Sequence, residues 1–208
     1  MDNSTDPIWS QNELKLINEV DVFLHKPTIM KNVETRLLQL KESLAAHLAE
    51  NSRSYPPGTD LVKGQIARGE NHKGFPFLSL DIPQNFSKTE FFTYRTLFWW
   101  GHYLAFSLLL KGPRIPDYLK CLLKNRQQPG GEGIFVARNT SPWEWEWTEE
   151  NYSSVHQIPE EEIQTVVNGI GYIKLVRFFS LAEPSFPSLD WAATGVQTYR
   201  ELIALVMD

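Results

Sequence analysis

The sequence predicts an α+β fold, a mainly antiparallel sheet with two N-terminal helices and a C-terminal helix packed on it. Three observations carry this. Leu14, Ile17, Val20 and Leu24, then Ile29, Val33, Leu37, Leu40, Leu44 and Leu48, recur at helical spacing before any strand pattern begins. Strand-like runs then follow one another, the most apolar being Thr89 to Lys111, TEFFTYRTLFWWGHYLAFSLLLK. The final stretch returns to helical spacing at Trp191, Val196, Tyr199, Ile203 and Val206. Adjacent strands with helices at the ends are the pattern of an α+β domain. A length of 208 residues fits one such domain over 1–208.

The first helix is expected over residues 10–24, with Ser10 as N-cap and Glu13 completing a capping box. Pro27 opens the second, which runs to about residue 49, and the two should pack as a pair about the 25–27 break. Pro56-Pro57-Gly58 marks a loop over residues 52–60. Residues 61–74, LVKGQIARGENHKG, begin as a short strand or irregular segment and end as a turn. Phe75 to Ile82 alternates and reads as a strand closed by Pro83 and Asn85. For Thr89 to Lys111, length suits one long helix. Residue type and alternation suit two strands, about 91–98 and 102–110, turning near Trp100-Gly101, and the hairpin is the reading taken. A helix over residues 117–127, strands over 133–138 and 143–147, a helix from Pro159 to Gly169, a strand over 172–181 and a helix over 188–206 complete the order.

Composition narrows the function. The chain is 42% hydrophobic, 22% charged and 12% aromatic, enough to build a core without a staple. A net charge of -5 excludes a general nucleic-acid binder, which needs a basic face. The apolar run from Leu97 to Leu110 is broken by Gly101 and His102 and is too short to span a bilayer. The single cysteine, Cys121, beside Ile115, Leu119 and Leu122, reads as a small buried hydrophobe. With no internal disulfide and a polar N-terminus, the expected location is cytoplasmic. No metal is expected, because His25, His47, His72, His102 and His156 lack ligand spacing. No cofactor is expected either, since no phosphate-loop or dinucleotide pattern occurs.

The helical start, the basic turn before GFPFLSLDI, the aromatic strand after it and PEEEIQTVVNGIGYIKLVRF resemble the YktB-like family of uncharacterised bacterial proteins. The similarity spans most of the chain. It implies a bacterial cytoplasmic α+β domain of unknown function and carries no catalytic residue across.

The densest polar cluster is Arg68, Glu70, Asn71, His72 and Lys73, flanked by Gly69 and Gly74. Glycines let a backbone approach a ligand closely, although a solvated turn is the plainer reading. Arg95 and His102 interrupt the most apolar segment and need partners if buried. These seven side chains are the candidate ligand-binding set, and the 68–74 turn should border a cleft with Arg95 or His102. Trp143-Glu144-Trp145-Glu146-Trp147 alternates strictly, which predicts a strand with three indoles on one side, at least two of them largely buried. The Gly130-Gly131 loop offers backbone N–H groups to an anion but reads more plainly as a connection. The expected function is a non-catalytic domain that binds a small-molecule ligand or a protein partner, with a homodimer among the options. The alternative is a small enzyme with His72 or His102 as acid/base and Arg68 or Arg95 as anion holder.

Overall fold

The computed structural model describes residues 8–51 and 53–207. Helices α1 (Gln11–Ile17) and α2 (Asp21–Glu50) precede strands β1 (Gln65–His72), β2 (Phe75–Phe86), β3 (Phe91–Trp99) and β4 (Tyr103–Lys111). Helix α3 (Ile115–Asn125), β5 (Ile134–Ala137), β6 (Tyr152–Ser154), α4 (Glu160–Ile170), β7 (Ile173–Ser180) and α5 (Trp191–Val206) follow. The strands form one sheet in the order β1-β2-β3-β4-β7-β5-β6, and every pairing is antiparallel. This is the α+β class read from the sequence.

Both faces of the sheet are covered, which explains why β4 is buried from Tyr103 to Leu110. Leu104, Phe106, Leu108 and Leu110 face the helices and join one core with Leu37, Leu40 and Leu44 of α2 and Tyr199, Leu202 and Ile203 of α5. A Cβ on Gly195 would lie 2.5 Å from Leu40 Cδ1 and 3.0 Å from Phe106 Cε1. Helix α5 therefore approaches this closely only because residue 195 has no side chain. The Tyr94 hydroxyl, fully buried below it, donates to the Gly195 carbonyl at 2.6 Å. The other parity, Leu97, Trp99, Tyr103, Ala105, Leu109, Val176 and Phe178, forms a second core under residues 138–151.

Several expectations need correction. The first helix ends at Ile17 and the break falls at residues 18–20, not at Pro27, which lies inside α2. Proline there removes the N–H that would bond the Phe23 carbonyl, and Phe23 is exposed, so water can take its place. The two helices do not pack as a pair: α1 has no buried residue. β1 is a strand of eight residues with a register shift against β2 between Gly69 and His72, and it joins β2 through Lys73 (φ 50°) and Gly74 (φ 90°), the doubly left-handed turn of a tight hairpin. β2 passes Pro83 and ends at Phe86, because a register shift between Asp81 and Gln84 lets pairing with β3 resume. Helix α4 passes Gly169 and is stopped by Gly171 in the left-handed region. Residues 143–147 are not a strand, and the short β6 beyond them went unread.

Candidate ligand cavity beneath the tryptophan strap

Residues 138–151 cross the second face of the sheet as an irregular strap. Without a neighbouring strand, its carbonyls need other donors, and four buried side chains supply them. Tyr152 donates to the Glu144 carbonyl at 2.7 Å, Tyr172 to the Asn139 carbonyl at 2.7 Å, and Tyr103 to the Trp145 carbonyl. Lys174, fully buried, donates to the carbonyls of Pro142 (3.1 Å) and Glu144 (2.6 Å). Its Nζ also lies 3.3 Å from the centroid of the Trp145 ring. Burial pushes the three phenols up, so they stay protonated donors. Burial, reinforced by Arg95 and opposed by Glu144, pushes the Lys174 amine well below its ordinary value.

The alternation in WEWEW survives without a strand. Trp143 packs on Phe91 and on the Arg95 guanidinium, Trp145 on Lys174, and Trp147 stacks on Phe178 at 4.6 Å. Glu144 and Glu146 both turn to Lys73, at 2.9 Å each. These contacts raise the Lys73 pKa. Burial works to raise the Glu144 pKa, but the Glu146 N–H and Lys73 outweigh it and hold the carboxyl below its ordinary value. The expectation that at least two indoles would be largely buried fails: Trp145 is 4% exposed, but Trp143 and Trp147 are 42% and 45%. The strap covers the sheet at its centre and leaves the two outer indoles half open, Trp143 over Phe91 of β3 and Trp147 over Phe178 of β7.

The structure divides the seven candidate residues. Arg68 is exposed on the helix side of β1, where neighbouring Glu70 pairs with Lys26 of α2 at 2.6 Å. Asn71 is spent on the hairpin turn, its Oδ1 accepting from the Gly74 N–H at 2.9 Å. Lys73 fastens the strap. His102 stacks flat on Trp99, 3.6 Å between centroids, with Nδ1 2.9 Å from the Trp100 carbonyl. Only His72 and Arg95 come together, at a cavity of about 200 Å³ whose other walls are Phe77, Leu97, Trp143 and Trp145. The Gly69 approach is explained without a ligand, because the Phe77 ring occupies the space a Cβ would need, 2.1 Å away.

The charge in this cavity is neutralised internally. Arg95 donates from Nε and Nη2 to the two oxygens of Asp81, both at 2.8 Å, and Asp81, which is buried, also accepts from Thr93 at 3.0 Å. His72 meets Phe77 and Trp99 edge-on. Burial, with Lys73 adding to it, pushes the imidazole below its ordinary value, so the ring is neutral at neutral pH. Its Nε2 is buried without a hydrogen-bond partner among the described residues. Asp81, Phe77, Leu97, Trp143, Trp145 and Lys174 were not read as site residues. For Asp81 a signal existed: it shares strand parity with Phe77 and Ser79 and is a buried charge that requires a cation. Among the described residues no cluster of His, Cys, Asp and Glu has the makings of a metal site. No helix of the described residues is long and apolar enough to cross a membrane. The chain matches no protein-family model, no curated protein and no solved structure.

Proposed function

We propose that the chain is a non-catalytic binding domain, cytoplasmic, whose ligand is a small, planar, uncharged heterocycle held in the strap cavity. One observation carries this reading: a neutral imidazole with an unpartnered, buried Nε2 lines a cavity walled by aromatic rings. Buried polar atoms in native proteins nearly always find a partner; Nε2 is closed to solvent as the ring stands, and a turn of the His72 ring toward the cavity would bring it to a ring N–H or ring nitrogen of a bound heterocycle. Flat ligands suit walls made of Trp143, Trp145 and Phe77. A charged ligand suits them poorly. Among the described residues Arg95 is committed to Asp81, and Lys73 to Glu144 and Glu146, so no cation at the cavity is left to hold an anion and no carboxylate there is left to hold a cation. The same commitments weigh against the acid/base enzyme. The net charge of -5 favours a free heterocycle over a nucleic acid.

The test is a thermal-shift and tryptophan-quenching titration with free nucleobases, nicotinamide and indole, on the wild type and on His72→Phe. A ligand that binds only the native state raises the melting temperature. The expected result is a shift and quenching with a heterocycle bearing ring N–H or N groups. His72→Phe, which keeps the ring but loses the hydrogen bond, should bind at least tenfold more weakly. Absence of binding by the whole panel, or equal affinity in His72→Phe, would overturn the reading.

A further inference from the structure

The N-terminal arm and a groove on the helix side of the molecule are both apolar, and neither has a partner among the described residues. Most of the large apolar side chains left exposed among the described residues lie between residues 8 and 29. Trp9 is 53% exposed, Leu16 59%, Phe23 71% and Leu24 69%. Helix α1 buries nothing, and the buried stripe of α2 begins only at Met30. Large apolar side chains left exposed in such number along one segment mark an interaction site. The groove, about 400 Å³, is floored by Phe98, Trp100, Leu181, Phe186 and Trp191 and is bounded by Ile29, Val33 and Arg36 of α2. The Arg36 guanidinium lies 5.8 Å from the Trp191 ring centroid and forms no ion pair among the described residues. The arm carries Glu13, Glu19 and Asp21 against Lys15, so an acidic apolar arm faces the requirements of an apolar groove with a cation at its rim.

We infer that two copies of the chain exchange arms, each laying the apolar side of residues 9–24 into the groove of the other. One chain thus carries both complementary surfaces, and reciprocal exchange closes the assembly at two copies rather than propagating it. An amphipathic helix in an apolar groove is a recurrent recognition mode, and here the guest segment is supplied by the protein itself. The inference does not depend on the strap cavity, which lies on the opposite face of the sheet.

The test uses sedimentation velocity on the full chain and two variants altered only at exposed positions. The arm variant is Leu16→Asp with Phe23→Asp; the groove variant is Ile29→Asp with Arg36→Glu. The wild type should sediment as a dimer and each variant alone as a monomer, with circular dichroism unchanged. An equimolar mixture of the two variants should restore a dimer, more weakly than the wild type, because one arm and one groove remain intact in each mixed pair. A monomeric wild type at the highest attainable concentration would overturn the inference. So would a groove variant that stays dimeric, which would indicate arm-to-arm association, or a mixture that stays monomeric.

Discussion

Replacing Trp145 by Ala tests whether the strap is part of the folded core or a detachable cover. Trp145 is 4% exposed and lies over Lys174 within the second core. A tryptophan buries about 150–250 Å². At about 25 cal/mol per Å², that is ~4–6 kcal/mol, an upper bound because the unfolded chain already hides part of its surface. Lys174 would also lose the electron-rich ring face, but water entering the gap would partly rehydrate its amine. These opposed effects place the expected loss at about 3–4 kcal/mol, within the range of large-to-small core substitutions. Trp147→Ala is the internal control. With 45% of its surface already exposed, it should cost about half as much. Urea unfolding followed by circular dichroism gives both values. A loss below about 1 kcal/mol for Trp145→Ala, or a larger loss for Trp147→Ala, would refute the view that the strap is anchored at its centre.

Three further predictions follow from close contacts and from burial. Gly195→Ala gains about 1 kcal/mol of helix propensity but forces a methyl between Leu40 and Phe106, which typically costs about 1–3 kcal/mol. Thermal unfolding should show net destabilisation, and a stabilised variant would contradict the packing described. Gly69→Ala should displace the Phe77 ring from the cavity wall, weakening heterocycle binding with little change in melting temperature, since β1 is an edge strand. For Lys174, burial lowers the native pKa below that of the unfolded chain, so the unfolded state binds the extra proton. Stability must then rise with pH between the native value and lysine's ordinary value, and fall as pH drops through that window. Lys174→Met should flatten this slope, and an unchanged slope would show that the amine is not the source.

The sheet was legible where packing imposed strict parity. Phe98, Leu104, Phe106 and Leu108 are buried as their alternation required, because each parity of β3 and β4 meets its own core. The tryptophan strap misled for a physical reason: WEWEW alternates because indoles need the sheet and carboxylates need Lys73, and that demand does not require a backbone ladder. The helix break was misplaced because a solvent-exposed turn tolerates Pro27. In the candidate site, His72 and Arg95 stood out as polar interruptions of apolar sequence. The chain alone could not show that Arg68 and Glu70 fall on the other face, since the register of β1 against β2 decides it. Lys174 was hidden within GYIKLVRF, where a lysine ordinarily reads as an exposed strand position.

The most direct test of the proposed ligand site is the ¹⁵N signal of the His72 side chain, followed as the heterocycle found in the titration is added. The account predicts a neutral imidazole whose Nε2 resonance moves on binding while the imidazole of His102, stacked on Trp99 away from the cavity walls, stays comparatively still. A bound heterocycle that leaves the His72 Nε2 resonance unchanged would contradict it.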